Sequence, residues 1–312
     1  MRESKGPRHV GAPYFFIVNP RAGAGIRVFN GVSDRLRKLD VPFFGATTTG
    51  PGDATVLAQM ARRQDFRALV AVGGDGTLND VVNGLLTPEG SVDDRVPIAL
   101  VPRGTAQGFA RGLNLPVTAA AAVERLLAGA ERRLDVGRIR FEDGRVHLFV
   151  NVLGIGFDAL VAGRAQEVRP AMASLPAHLL GFASALAEYR NKEISLVLDG
   201  EEKTATSSRC NLVLVANGPY YASGMRLAPD ARMDDGLLDV VVIGDVPKLD
   251  ILLNLPRAFS GTAGSHNGVS LHRARRIALS SPDGALVQAD GEPVGSLPAE
   301  VDVLPGALRF IA

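Results

Sequence analysis

Between Val70 and Asp80 the chain reads Val-Ala-Val-Gly-Gly-Asp-Gly-Thr-Leu-Asn-Asp. A short apolar strand stops at two glycines, an aspartate, a third glycine and a threonine. An apolar-periodic helix then follows, with Leu78, Val81, Val82, Leu85 and Leu86 on one side. Glycines have no Cβ, so backbone N–H groups there can come close to a bulky anion. The helix turns its positive N-terminal end toward the same spot. Asp75 adds a carboxylate where a phosphate-bound Mg²⁺ needs one. A plain strand-to-helix turn does not call for three glycines with Asp and Thr among them. No Gly-x-x-x-x-Gly-Lys-Ser/Thr occurs, so the stretch is not a P-loop with a phosphate-binding lysine.

The flanking sequence alternates strand and helix patterns. Tyr14–Val18, Pro42–Ala46, Ala68–Val72 and Ile98–Val101 read as short buried strands. Helical patterns fall at Ile26–Leu39, Asp53–Arg62, Leu78–Leu86 and Val117–Leu127. That order predicts a parallel, doubly wound α/β sheet whose ligands sit at the C-terminal strand ends. Beyond Gly129–Arg133 the pattern changes. Leu134–Phe141 and Arg145–Leu153 read as a hairpin around Glu142-Asp143-Gly144, and a helical interlude lies near Ala171–Tyr189. Strand patterns then dominate at Glu193–Leu198, Asn211–Ala216, Leu237–Ile243, Ile277–Ser280, Leu286–Ala289 and Val301–Leu304, interrupted by a helix at Lys248–Phe259. The second half is therefore expected to be mostly antiparallel β.

At 312 residues the chain suggests two domains. A net charge of +1 gives no sign of a nucleic-acid partner. Cys210 is the single cysteine, which rules out an intrachain disulfide and suits a reducing compartment. The first residues lack the apolar core of a signal peptide, and no run of about 18 apolar residues occurs. A soluble, cytoplasmic protein is expected. His9, His147, His178, His266 and His272 show no zinc-ligand spacing.

Gly73–Thr77, followed by Leu-Asn-Asp-Val-Val-Asn-Gly, resembles the signature of the diacylglycerol kinase catalytic domain. That group includes bacterial lipid kinases and sphingosine kinases, with NAD kinases more distant. Other segments agree. Asn19-Pro20-Arg21-Ala22-Gly23 is similar to the family's nucleotide loop. Thr47–Ala54 is similar to its Thr-x-x-x-Gly-Asp-Ala, with Thr48 at the nucleotide-contacting threonine. Each also reads as a turn or capped helix start. Pro102–Arg111 matches the family's Pro-x-Gly-Thr-x-Asn-Asp-Phe-Ala-Arg, except that Gln107 replaces Asn and Gly108 replaces Asp. The missing carboxylate removes one acceptor from the network around a catalytic Mg²⁺.

Asn151–Ala159 contains Gly-x-Gly-x-x-Ala, but it sits in the β-rich half with no clean βαβ unit after it, so a dinucleotide fingerprint is rejected. It resembles the family segment that lines the interdomain cleft. Asn217–Met225 and Ala228–Asp239 resemble the family's structural Mg²⁺ turn. The resemblance makes the Asp235 carboxylate and the carbonyls of Arg232 and Leu237 the metal ligands; otherwise this is an acidic turn before a strand. Asp290-Gly291-Glu292 is similar to the family's Asp-Gly-Glu, where one carboxylate takes the proton of the acceptor hydroxyl. By itself such a turn is more often solvated and inert.

The resemblance implies an α/β nucleotide-binding domain over residues 1–131, with about the last 10–15 residues returning to it. A β-rich lipid-substrate domain covers 132–300, with the nucleotide site in the interdomain cleft. It implies an ATP-dependent lipid kinase that phosphorylates a hydroxyl of a lipid such as diacylglycerol or a sphingoid base. Asp75, Asp290 and Glu292 would be catalytic, with Glu292 favoured as base by family correspondence. Asn19, Thr48, Gly73, Gly74, Asp75, Gly76, Thr77, Leu78, Asn79, Gly104 and Thr105 would hold the nucleotide. ATP and Mg²⁺ are the implied cofactors. The implied partner is a lipid at a membrane surface, with peripheral association; a homodimer is left open. Leu175, Leu179, Leu180, Phe182 and Leu186 form a stripe that serves either as core or for membrane docking. A soluble-substrate kinase of the NAD-kinase sort and a catalytically weak lipid or nucleotide sensor are the rival readings.

Overall fold

The computed structural model describes residues 11–104, 107–168, 184–186, 188–201, 206–222 and 224–312. The chain divides into two compact units. The first comprises Met1–Gly104, Leu113–Leu134 and Ala307–Ala312, and the second Thr105–Gly112 and Asp135–Gly306.

In the first unit, β1 (Tyr14–Val18), β2 (Phe43–Thr47), β3 (Ala68–Gly73) and β4 (Ile98–Pro102) form a parallel sheet in the order β2-β1-β3-β4. Their near-continuous apolar runs follow from burial on both faces. Phe16, Val18, Val70, Val72, Ala99 and Val101 pack against Val32 and Leu36 of α1 (Gly25–Lys38) and Ala122, Val123 and Leu126 of α5 (Ala119–Ala128). Helices α2 (Asp53–Ala61) and α3 (Asp75–Gly84) bury Ala54, Ala58, Leu78, Val81 and Val82. Phe310, near the C-terminus, pairs in parallel with Ile98 of β4. The doubly wound parallel sheet is the one the sequence pattern predicts. One boundary differs: α3 begins at Asp75, three residues before the first apolar contact, so Asp75, Gly76 and Thr77 form its first turn.

The second unit is built from β5 (Glu131–Phe141, its first residues in the other unit), β6 (Val146–Phe149), β7 (Val152–Gly156), β8 (Lys192–Leu198), β9 (Thr206–Ala216), β10 (Leu238–Gly244), β11 (Val269–Ala274), β12 (Arg276–Ser280), β13 (Leu286–Ala289), β14 (Glu292–Ser296) and β15 (Ala299–Ile311, its last residues in the other unit). Its registered pairings are antiparallel. Short helix α4 (Gly108–Gly112), α6 (Phe157–Val168) and the helix Lys248–Ser260 belong to the same unit.

Two expectations for this half are corrected. The hairpin strand expected at Arg145–Leu153 is two strands, broken at Val150 and Asn151. The Asp290 carboxylate accepts the N–H groups of Val150, Asn151 and Val152 at 2.7, 2.9 and 2.9 Å, which takes those amides out of a β ladder. Glu292–Ser296, outside the strands the sequence pattern gives, is also a strand. Among the described residues it pairs only with β13, and an edge strand tolerates proline. The stripe residues Leu175, Leu179, Leu180 and Phe182 lie outside the described residues. Leu186 is half-buried against Phe157, Ala185 and Tyr189.

Candidate active site

Parallel register places the ends of β1, β2, β3 and β4 side by side. Val18 stands beside Thr47 and Val72, and Gly73 beside Pro102. The residues that follow are Asn19, Thr48, Gly74 and Arg103, so four loops meet at one edge, as a doubly wound sheet requires of a ligand site. Backbone bonds knit them: Asn19 N–H donates to Val72 O at 3.0 Å, Thr48 N–H to Val18 O at 2.9 Å, and Arg103 N–H to Gly73 O at 2.7 Å.

Gly74 is the N-cap of α3 and supplies no side-chain cap, and a helix N-terminus offers backbone N–H groups and the positive end of its dipole to an anion. A Cβ on Gly74 would sit 3.0 Å from the Arg103 carbonyl oxygen, and one on Gly104 3.2 Å from Gly74 Cα. Backbone therefore packs on backbone at the mouth of the loop. Asp75 is half-buried in the first turn of α3. Thr77 is 5% exposed, and its hydroxyl accepts from Asn19 Nδ2 at 3.0 Å. Asn19 Oδ1 accepts from Arg21 N–H at 2.9 Å. Thr48 is buried, and the loop after it is braced by Asp53, whose carboxylate accepts from Thr49 N–H, Thr49 Oγ1 and Gly50 N–H. Those bonds hold the Asp53 pKa below its ordinary value.

Other expected nucleotide residues face inward. Leu78 is fully buried and its N–H donates to Gly74 O at 3.1 Å, the first rung of the helix ladder. Asn79 is 2% exposed and accepts from Asn83 Nδ2 through its side chain at 3.1 Å and its carbonyl at 2.9 Å. Both shape the helix that carries the loop. Thr105 lies outside the described residues. Gln107 has a left-handed φ of 51°, and Gly108 is buried at the start of α4.

In the second unit Asp290 and Glu292 flank the β13–β14 turn. Asp290 has φ 48° and Gly291 φ 92°. The Asp290 carboxylate is committed to the three amides named above. Glu292 is the first residue of β14 and is half-buried. Asn217, fully buried, donates Nδ2 to Asp135 O at 3.1 Å and Val150 O at 2.8 Å. It locks the segment that the Asp290 carboxylate holds from the other side.

The structural Mg²⁺ implied at Asp235 meets a different arrangement. Asp235 Oδ1 accepts from Leu237 N–H at 3.1 Å, and Oδ2 is taken by the Arg273 guanidinium. Arg273 stands opposite Asp239 across β10 and β11, with Nε 3.5 Å from Asp239 Oδ1. The Arg232 side chain turns to Asp234. Asp239 keeps Oδ2 buried without a hydrogen-bond partner, and burial raises its pKa. One guanidinium thus carries the positive charge between two carboxylates. Among the described residues no group of three or more His, Cys, Asp or Glu side chains is placed to hold an ion. The Asp235 carboxylate, which the resemblance makes a metal ligand, is paired here with Leu237 N–H and the Arg273 guanidinium.

The diacylglycerol kinase catalytic domain model matches residues 13–139, and the YegS C-terminal NAD kinase beta sandwich-like domain model matches 151–312. The chain is 30% identical over 309 residues to a Bacillus subtilis (strain 168) protein named "Putative lipid kinase YtlR", covering 95% of this chain and 98% of that one. The chain belongs to this lipid kinase family. It is 28% identical over 298 residues to a diacylglycerol kinase of Mycobacterium tuberculosis (strain CDC 1551 / Oshkosh), covering 95% and 93% of the two chains. A crystal structure of a diacylglycerol kinase from Bacillus anthracis str. Sterne shares the fold, with TM-score 0.71 at 22% identity over 96% of each chain. Among the described residues no helix is long and apolar enough to cross a membrane. Family membership also explains the glycine-rich loop as part of a kinase domain that uses a nucleotide.

Proposed function

We propose that this chain transfers the γ-phosphate of MgATP to a hydroxyl of a lipid presented at a membrane surface, diacylglycerol or a sphingoid base being the acceptors the family suggests. The observation that carries this is the uncapped first turn of α3 at the meeting point of four parallel strand ends, with Asp75 inside that turn. Phosphoryl transfer needs alignment and neutralised charge more than covalent help. The α3 amides and Thr77 would hold phosphate oxygens, and Asn19 and Thr48 would order the nucleotide loops. Magnesium arrives with the MgATP substrate, and Asp75 is the carboxylate that would take it. Glu292 is the base, since the Asp290 carboxylate is committed to three backbone amides.

The test is incubation of purified protein with γ-labelled ATP, Mg²⁺ and a total lipid extract, with labelled lipid identified by mass spectrometry. Label in one lipid class, lost in Asp75→Asn, is expected. Transfer to NAD instead would assign the soluble-substrate chemistry. Nucleotide binding without transfer to any acceptor would make the chain a sensor.

A further inference from the structure

The segment Asn151–Ala159 carries a dinucleotide-like glycine pattern whose purpose the kinase reading leaves open. Its structure gives that pattern a role. Gly154 in β7 stands directly opposite Gln288 in β13. A Cβ on Gly154 would lie 1.7 Å from Asp158 Oδ2 and 2.6 Å from Gln288 Nε2. The space of that missing side chain is filled by the contact between Asp158 and Gln288.

Gln288 is 1% exposed and spends both ends of its amide. Its Nε2 donates to Asp158 Oδ2, and its Oε1 accepts the N–H of Gly291 at 2.6 Å. Asp158, in the first turn of α6, is 4% exposed. Burial raises its pKa to about 7. Gly291 is the middle residue of the turn, next to Glu292. Side-chain bonds grip the turn through the Asp290 carboxylate on the Val150–Val152 amides and through the Gly291 amide on Gln288, beside the Asp290 N–H that donates to Val152 O at 2.9 Å. The Gln288 grip holds the Asp290–Gly291 peptide, one residue before Glu292, which is itself registered with Ala289 of β13.

We infer that Asp158 and Gln288 are positioning residues for Glu292: Asp158 fixes the orientation of the Gln288 amide, and that amide fixes Gly291 and so the direction in which the base leaves the turn. This rests on the reading of Glu292 as the base. A base displaced by about 1 Å loses up to about 100-fold in rate. A buried polar pair that merely satisfied itself would affect stability and leave the turn and turnover alone.

The experiment uses Gln288→Met, which keeps the volume and removes both hydrogen bonds, with Asp158→Leu and Asp158→Asn. An asparagine still offers Gln288 an oxygen. Amide hydrogen exchange of the 286–296 segment is measured beside kcat and KM for MgATP, with dioctanoylglycerol micelles and a total lipid extract as acceptors. Gln288→Met and Asp158→Leu are expected to speed exchange at Gly291 and lower kcat by about 10- to 100-fold, with KM for MgATP unchanged. Asp158→Asn is expected to restore both. If Gln288→Met does not fold, Gln288→Asn, one methylene too short to reach both partners, replaces it. Wild-type exchange and kcat in a folded Gln288 variant would overturn the inference, as would Asp158→Asn behaving like Asp158→Leu. A wild-type protein that phosphorylates no lipid would overturn the kinase reading instead; Gly291 exchange would still decide whether the pair holds the turn.

Discussion

Asn19 and Thr77, 58 residues apart, meet in a single hydrogen bond: the Asn19 side-chain amide donates to the Thr77 hydroxyl at 3.0 Å. The bond joins the loop after β1 to the first turn of α3, so the phosphate loop is held by its neighbour strand as well as its own. Because Asn19 Oδ1 also accepts from Arg21 N–H, the amide is oriented before it reaches Thr77. Asn19→Ala should cost about 1 kcal/mol of stability, the usual worth of such a bond. It should raise KM for MgATP several-fold more than it lowers kcat, because the phosphate loop loses its brace. Thermal unfolding and steady-state kinetics check this; unchanged KM would mean the loop holds its shape without Asn19.

Asp75→Asn preserves the size of the side chain and the helix start, so the fold should persist within about 1 kcal/mol. Activity should fall by at least about 100-fold, the scale of removing one charge-stabilising group from an active site. Raising Mg²⁺ should not restore it. Full turnover of the variant at saturating Mg²⁺ would remove Asp75 from the phosphate site.

Asp290→Asn and Glu292→Gln should separate sharply. The Asp290 carboxylate holds three backbone amides, so an amide in its place loses acceptor capacity and presents N–H groups to N–H groups. A loss of about 1–3 kcal/mol is expected. Glu292→Gln should leave unfolding nearly unchanged and lower kcat with little effect on KM for MgATP. Calorimetry with initial rates distinguishes them; equal losses of stability in both would show that Glu292 also serves the fold.

The Asp235–Arg273 pair makes a claim about metal. With a guanidinium on the carboxylate, millimolar Mg²⁺ or EDTA should not move the melting temperature of nucleotide-free wild type. Arg273→Met leaves Asp235 and Asp239 facing each other without their cation, and should destabilise by about 1 kcal/mol, kept small because Arg273 is half exposed. Mg²⁺ should recover part of that loss in the variant alone. A melting temperature that falls when EDTA is added to wild type would restore a resident ion to this turn.

How much of this was legible in the sequence depends on range. The glycine loop and its strand show plainly because Gly73–Thr77 and the apolar run before them are contiguous, and the parallel sheet follows from strand and helix alternation. The start of α3 at Asp75 was missed because polar first-turn residues carry no apolar period. The break at Val150 was invisible because its cause, the Asp290 carboxylate, lies 140 residues away. Arg273 on Asp235 depends on cross-strand register between β10 and β11, which local pattern does not encode. Asp158 lies in the Asn151–Ala159 motif and Gln288 two residues before Asp290-Gly291-Glu292, but only their contact across Gly154 gives them a task.

Asp158, buried, and His147, half-buried, set opposing pH dependences. Burial lifts Asp158 from 3.8 to about 7, so the folded chain keeps a proton that the unfolded chain releases. Its stability contribution is full below pH 3.8 and is lost as pH rises toward 7. Burial lowers His147 from 6.5 to about 4, so the unfolded chain binds a proton that the folded chain refuses. Its contribution is present above pH 6.5 and is lost as pH falls toward 4. Between those limits the slopes are each about 1.4 kcal/mol per pH unit and opposite in sign. In Asp158→Asn the Asp158 term is removed, and the stability slope between about pH 4 and 6.5 should become more positive than in wild type. In His147→Gln the His147 term is removed, and the slope over the same interval should become more negative. Urea unfolding at a series of pH values measures both. Profiles that run parallel to wild type in the two variants would mean that neither proton is gained or lost on folding.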